Sequence, residues 1–550
     1  MTEAPRREGV GSGRWARLPW FLLGLLALAY TAEHSFWVAG DGGSPLDEHS
    51  HEHALRAMLQ WRAIIGDGGL NAWLWPGYYP PGLFWVSFLG LWVLGPSLAT
   101  LIQVQALYTG ALVLGVGLLV GRSFTPLLGL AAGSLALSFP MFWFERSRIM
   151  LANPQAGILV LAVALLPLPG QSRWWMGLVG GVVMGLAVLT HTSNVFPALA
   201  AAAVHLFLGL RLLWRRPPGA WRELGHGTLY WLLAATSAVW YQAALPDIME
   251  MRRAILEQYP DTIALGGVAG IVAWFKHSFL YASHAWALLF GLPLLPWTLR
   301  RPLVLVSAVG VCAVFCGILT FPQIHERYFL PAAPLLLVLI VAPVGLLSVS
   351  TLRELRWLGH AASLVLLALG LRFTLGPWLF QVPMSRTGLL DRDGTFSAWP
   401  LTSDLDEALS GLRARPRRWV HYAPRPLRGI MPLRAAAEAI LADLEIRRAK
   451  GEPCSNPGVL ALIGRDKESD LLDAELVALG PEAGRVVPSG SSDWRRTDCE
   501  PCYAVFSAPS ALSRSEVAKD VVAAGFENIV ILNVSAPADA DFTLLVVAGR

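Results

Sequence analysis

The sequence predicts a polytopic α-helical membrane protein of about eleven spans with a C-terminal extracytoplasmic α/β domain. Three observations carry that prediction. Of the 550 residues, 54% are hydrophobic and only 15% are charged, against roughly 25% charged in ordinary soluble domains. Charge is scarce mainly before residue 377, where apolar runs of about twenty residues recur, each long enough to cross the hydrocarbon core as a helix. The arginines, finally, gather in short clusters between these runs, as the orientation rule for membrane helices requires.

The predicted spans, in order, are Leu18–Val38, Ser97–Val120, Pro126–Phe144, Pro154–Leu168, Trp174–Leu189, Val195–Leu213, Thr228–Leu245, His277–Leu299, Leu303–Thr320, Phe329–Val349 and Trp357–Gly376. The first is longer than a signal-peptide core of ~7–15 residues and lacks a small-residue cleavage site, so it reads as a retained span. Arg6, Arg7, Arg14 and Arg17 set the N-terminus in the cytoplasm. Arg122, Arg173, the cluster Arg211, Arg215, Arg216 and Arg222, the pair Arg300 and Arg301, and Arg353 with Arg356 then fall on the same side. The agreement requires the short, Trp- and Phe-rich Pro81–Leu94 segment to lie in the interface rather than cross. The expected organisation is a cytoplasmic N-terminus (1–17), a transmembrane domain (18–376) with a first outer loop at 39–96, and an extracytoplasmic α/β domain (377–550).

Beyond residue 376 the chain becomes charged and rich in Pro and Gly. Arg418–Tyr422, Gly458–Ile463, Ala504–Ser507, Ile529–Val534 and Phe542–Ala548 read as strands; Leu433–Lys450, Ser469–Leu479 and Ser513–Ala524 read as helices. No glycine-rich phosphate loop follows a strand, so nothing in the sequence supports a nucleotide site there. Cys454, Cys499 and Cys502 allow one disulfide with one cysteine left over, while the Cys499-Glu-Pro-Cys502 spacing is also that of a redox pair or half a metal site. Cys312 and Cys316 lie in an apolar run as small hydrophobes. The net charge of +4 gives no footprint for nucleic acid.

Ionisable residues cluster in the first outer loop: Asp47, Glu48, His49, His51, Glu52, His53 and Arg56. Two adjacent carboxylates before a helix suit its positive N-terminal end, and capping with a solvated face is the simplest account of them. His49, Glu52 and His53 also form a set able to bind a divalent metal. Their His-x-x-Glu-His spacing matches the inverted zinc-hydrolase pattern, a minor alternative. The 246–276 segment carries Asp247, Glu250, Arg252, Arg253, Glu257, Tyr259 and Lys276, the mixture of a solvated loop or of one that closes over a substrate.

Several segments occur in the order of a known family. Asp47-Glu48 precedes a helix ending Leu55-Arg56-Ala57-Met58-Leu59; then come Tyr78-Tyr79-Pro80-Pro81-Gly82-Leu83, Arg146-Ser-Arg148-Ile-Met-Leu-Ala-Asn153-Pro-Gln, Gly185-Leu-Ala-Val-Leu-Thr190-His191 and Glu326-Arg327-Tyr328-Phe-Leu-Pro331. Over residues 15–375 the set resembles the C-type glycosyltransferases, in particular the branch of dolichyl-phosphate-mannose protein mannosyltransferases and bacterial aminoarabinose transferases. The resemblance implies transfer of a sugar from a polyprenyl-phosphate donor to a lipid, glycan or protein acceptor, at the outer face of the cell (inner) membrane. It implies Asp47 as the base, with Glu48 positioning substrate or binding metal. Arg327 would bind the donor phosphate with His191 and Tyr328, and Tyr79, Arg148 and Asn153 would line the substrate loop. Asn153 stands where the family often has an acidic residue, and His191 where it has a lysine. The resemblance admits a divalent metal and calls for no other cofactor. The principal non-enzymatic alternative is a lipid or glycan transporter or flippase, which would carry ionisable groups near the bilayer midplane; here the charges sit at the ends of the spans.

Overall fold

The computed structural model describes residues 14–41, 50–66, 68–74, 79–139, 142, 151–215, 217, 219–258, 282–318, 326–380, 430–451, 458–462, 466–479, 486–488, 501–509, 530–535 and 542–548. A long helix α1 (Arg14–Asp41) is followed by three shorter ones in the first outer loop: α2 (Ser50–Ile65), α3 (Gly69–Leu74) and α4 (Gly82–Leu94). The helical body continues through α5 (Leu98–Ser123), α6 (Pro126–Ser134), α7 (Ala152–Ala164), α8 (Trp174–Thr190), α9 (Val195–Arg215), α10 (Ala220–Ala235) and α11 (Ser237–Gln258). After α12 (Ala282–Gly291) and the single turn α13 (Leu295–Thr298) come α14 (Pro302–Ile318), α15 (Ala332–Ser348) and α16 (Arg353–Phe380).

Among the described residues three helices are long and apolar enough to cross a membrane: Leu98–Ser123, Thr192–Arg215 and Arg353–Leu371. Six shorter apolar helices accompany them, including Gly82–Leu94, Ala152–Ala164 and Trp174–Thr190. The faces they turn outward are as apolar as those they bury. On α9, Ala198, Ala201 and Val204 are buried while Leu199, Leu206, Phe207 and Leu210 are exposed, the pattern of a helix packed on one side and bathed in lipid on the other. Trp174, Trp214 and Trp221 are 61%, 90% and 79% exposed. They lie at the same end of α8, α9 and α10, the position of an aromatic interface belt.

Helix pairing rests on small residues. Gly177, Gly181 and Gly185 recur every fourth position along α8. A Cβ on Gly177 or Gly181 would stand 2.6 Å from the His226 carbonyl oxygen or 2.5 Å from that of Tyr230. Only glycine lets α8 and α10 come this close, and they run side by side in the same direction. Helix ends are closed by side chains: Arg122 donates to the carbonyls of Ala164 and Leu166 just past α7, and Tyr230 Oη donates to Ala162 at 2.8 Å. Carbonyls near a helix end are thus bonded inside an apolar body, that of Ala162 in addition to the Leu165 N–H it accepts at 3.1 Å.

The predicted span Thr228–Leu245 is instead divided between α10 and α11. The regular ladder is interrupted at Thr236, whose amide and hydroxyl both bond back to the Leu233 carbonyl, at 3.3 and 2.7 Å. His277–Leu299 is likewise interrupted by a 3-10 turn at Leu292–Leu294, where Pro293 and Pro296 cannot donate to a continuing helix. Within Pro126–Phe144 the regular helix stops at Ser134, and the next amides bond back by three residues.

The C-terminal residues form α17 (Ile430–Lys450), α18 (Asp466–Leu479) and a five-stranded sheet of β1 (Gly458–Leu462), β2 (Val486–Pro488), β3 (Pro501–Pro509), β4 (Val530–Ser535) and β5 (Phe542–Ala548). The strand order is β2-β1-β3-β5-β4, with β1 parallel to β2 and β3, and β5 antiparallel to β3 and β4. α17 covers β4 and β5; its Ala436, Ala437, Ile440 and Leu444 are buried, a helical stripe facing the sheet. Asp443 ties the layers together, accepting from Arg447 Nε at 2.7 Å and from Tyr503 Oη at 3.0 Å. The short β2 was not among the expected strands. The expected strand Arg418–Tyr422 and helix Ser513–Ala524 lie outside the described residues, as do Cys454 and Cys499; Cys502 lies in β3.

Candidate active site

The site is assembled where α4 begins. Gly82 follows Pro80-Pro81 and sits directly on the end of α8: a Cβ there would lie 2.7 Å from the carbonyl carbon and oxygen of Leu189 and 2.9 Å from the Thr190 nitrogen. This contact brings the first outer loop against the segment that opens with His191. Neighbouring side chains fix both pieces. Trp85 Nε1 donates to the Trp73 carbonyl at 2.7 Å, Trp240 Nε1 to Leu74 at 2.9 Å, and Tyr241 Oη to Val188 at 2.8 Å. Asn194 Nδ2 donates to Ala187 at 2.8 Å and to Gln155 at 3.2 Å. The last carbonyls of α8 are therefore occupied by side chains, so the helix end is fixed without a further turn.

His191 itself caps the following 3-10 turn, its Nδ1 accepting the Ser193 backbone N–H at 3.1 Å. Ser193 Oγ lies 2.8 Å from the same nitrogen and in turn receives the Gln155 side-chain amide. With Nδ1 as the acceptor, the proton of a neutral ring would sit on Nε2. The relay Gln155–Ser193–His191 thus fixes the orientation of the imidazole. On its other side the His191 ring meets Tyr328 at 5.8 Å between centroids. Tyr328 belongs to the 3-10 turn Glu326–Phe329 that precedes α15. Arg327 occupies the same turn, its side chain outside the described residues.

On the α2 side, Tyr79 receives His53 edge-on at 4.8 Å and the Arg56 guanidinium over its face at 4.8 Å, the latter a cation–π contact. His53 is buried, as are Ala54, Ala57 and Met58 on the same helix. Glu52 is half-buried in the first turn of α2. Asn153, in the first turn of α7, is fully buried, and among the described residues neither its Oδ1 nor its Nδ2 has a hydrogen-bond partner. The structure therefore brings Tyr79 to the end of α8 that His191 continues, and sets Tyr328 against His191. Asp47, Glu48, His49 and Arg148 lie outside the described residues. Among the described residues no three His, Cys, Asp or Glu side chains gather as a metal-ligand set, and His53 is packed against an aromatic ring.

Sequence reasoning did not single out Gln155, Ser193, Asn194, Trp240 or Tyr241. The signal available was the polar run Thr190-His-Thr-Ser-Asn194 closing an apolar helix, which reads as a capped end. Gln155 and the two aromatic residues act on partners 38 to 166 residues away, beyond any local pattern.

No family model matches the chain, and no curated protein matches it. Among solved structures it is similar to apo ArnT from Cupriavidus metallidurans, at 14% identity over 97% of this chain and 98% of that one, with a TM-score of 0.50. The same protein bound to undecaprenyl phosphate gives 15% identity over the same shares and a TM-score of 0.47. An Archaeoglobus fulgidus oligosaccharyltransferase tethered to an acceptor peptide gives 12% identity over 86% of this chain and 64% of that one, with a TM-score of 0.43. Over nearly its whole length the chain shares the fold of the apo ArnT structure, the fold that its ordered motifs lead one to expect.

Proposed function

We propose that the chain transfers a sugar from a polyprenyl-phosphate-linked donor to an acceptor lipid, glycan or protein at the outer face of the cell (inner) membrane. The observation that carries this reading is the meeting of His191 with Tyr328, next to the α4–α8 contact that brings Tyr79 and the first outer loop to the same place. Three distant segments thus meet near a histidine and a tyrosine at the ends of apolar helices, which suits the headgroup of a lipid-linked substrate.

In the proposed reaction Asp47 takes the proton of the acceptor hydroxyl as its oxygen bonds to the anomeric carbon. The bond from that carbon to the phosphate oxygen breaks, and polyprenyl phosphate leaves with the electron pair. Arg327 would balance the growing negative charge through a paired contact, while His191 Nε2–H and the Tyr328 hydroxyl supply neutral hydrogen bonds to the same oxygens. Glu48 would position the acceptor, and Tyr79, Arg148 and Asn153 would border the sugar. No step is drawn through a metal. The 377–550 domain is assigned to the same outer side.

The direct test is a transfer assay on purified chain in lipid nanodiscs, with a panel of polyprenyl-phosphate sugars and candidate acceptors. Asp47→Asn and Arg327→Ala should each lower transfer by at least ~100-fold, on the scale of losing a general base or a charged donor. Full transfer by both variants would falsify the assignment. Labelling of cysteines placed at Ser50 and Ser515 checks the side: labelling from the cytoplasm alone sinks the outer-face mechanism.

A further inference from the structure

The C-terminal domain grips the first outer loop through a small set of charged contacts. Arg62, in the last turn of α2, donates from Nε to the Val477 carbonyl at 2.6 Å and from Nη2 to the Ala478 carbonyl at 3.0 Å. These carbonyls belong to the last turn of α18, which has no intrahelical donors to offer them and carries the negative end of the helix dipole. On the same helix Glu475, 1% exposed, accepts the Leu98 N–H at 3.1 Å and the Arg434 guanidinium at 2.9 Å. Leu98 is the first residue of α5, so the carboxylate meets the positive end of that helix. Arg434 also donates to the Pro96 carbonyl at 3.3 Å and to Glu438 at 2.9 Å. The ties between the two parts of the chain join residues 338 to 416 positions apart.

What they hold is the helix that borders the candidate site. α2 is 16 residues long, close to the length at which an isolated helix is marginal in water. One face, with Ala54, Ala57, Met58 and Trp61, is buried, and α2 packs on both α4 and α18. His53 and Arg56 on α2 both rest on Tyr79, and Tyr79 enters α4 three residues before Gly82. A shift of α2 therefore moves the Tyr79 end of α4 relative to His191.

We propose that the C-terminal domain is a positioning element for the first outer loop, with Arg62 acting through α2 and Glu475 through the start of α5. The catalytic consequence rests on the transferase reading; the positioning itself does not. One guanidinium spans two successive carbonyls, which a lysine ammonium on a single point of attachment reproduces only in part.

The experiment uses the full chain in nanodiscs and compares wild type, Arg62→Ala, Arg62→Lys and Glu475→Ala by hydrogen exchange and by the transfer assay. In Arg62→Ala the α2 amides should exchange about 10–100-fold faster, as expected for loss of two hydrogen bonds to a charged group. The α5–α7 amides should stay protected, and Arg62→Lys should recover part of the loss. Where wild type transfers sugar, kcat should fall about tenfold in Arg62→Ala with the donor KM within about twofold, because chemistry depends on alignment more steeply than binding does. Unchanged α2 exchange in Arg62→Ala, or unchanged exchange in the first turn of α5 in Glu475→Ala, overturns the proposal. So does faster exchange spread equally through α5–α7, which makes the contact a general fold support, and so does a loosened α2 with wild-type kcat. If wild type transfers no sugar in the panel while α2 alone loosens in Arg62→Ala, the transferase reading fails and the positioning stands.

Discussion

Gly82→Ala is the substitution on which the site geometry bears most directly. The added methyl would stand 2.7 Å from the carbonyl carbon and oxygen of Leu189, where ordinary contact begins at 3.4 Å, and all three near atoms are backbone. Neither helix has a side chain that can rotate away, so α4 and the end of α8 must part by about 0.7 Å, a gap that forfeits a quarter to a half of each dispersion contact across the seam. Overpacking of this kind costs about 1–3 kcal/mol. The strain falls between Tyr79 and His191, so transfer should drop by more than stability does, by about 10–100-fold for a displacement approaching 1 Å. Gly24→Ala, whose Cβ meets nothing within 4 Å, is the matched control and should be neutral or up to ~1 kcal/mol more stable through helix propensity. Thermal melts and transfer rates of the two variants in the same nanodiscs decide the matter. If Gly82→Ala melts and turns over like wild type, the α4–α8 contact does not organise the site.

Two further outcomes follow from hydrogen bonds on either side of that contact. Ser193→Ala removes the hydroxyl between Gln155 and His191 and should lower kcat/KM for transfer about 3–10-fold, the equivalent of one hydrogen bond of about 1 kcal/mol. Ser193→Thr should restore most of it, and an alanine variant with wild-type kinetics would show that His191 needs no orienting partner. Burial raises the Glu475 carboxyl above its ordinary value of 4.5, while its bonds with Arg434 and Leu98 pull the other way. The folded domain then holds this proton more tightly than the unfolded chain. The stability it contributes is full below about 4.5 and is lost as pH rises through the raised value. The melting midpoint should accordingly fall as pH climbs from that point, and Glu475→Gln should flatten the trend; the same slope in both proteins would remove Glu475 from the account.

Hydropathy located the helical body because lipid demands apolar length, and α1, α5, α9 and α16 stand where their runs predict. It did not show the interruptions at Thr236 and at Leu292–Leu294, since an apolar run stays continuous whether or not its helix does; what interrupts the helix is a local hydrogen bond or a proline. The α8 glycines at 177, 181 and 185 are visible in the sequence as a repeat of four, but their partner, the carbonyl ridge of α10, is not. The site divides in the same way. Of the candidate site, Tyr79, His191 and Tyr328 could be picked out in the sequence because each stands at the edge of an apolar run with a family-like neighbourhood. Gln155 and Ser193 are not, because what matters about them is each other and His191. The contact of Arg62 with α18 was equally hidden, since it joins residues more than 400 positions apart.

The tryptophans at one end of α8, α9 and α10 have a consequence for the membrane as well. Side chains that favour the headgroup region pin that end of the bundle at a fixed depth. A bilayer thinner or thicker than the bundle is met by tilt or by local deformation of the lipid, felt most at the unpinned end, where α8 finishes at Thr190 and α4 begins. Reconstitution in short- and long-chain lipids should then act on the end that carries His191 and Tyr79, and transfer rates across such a series would show it.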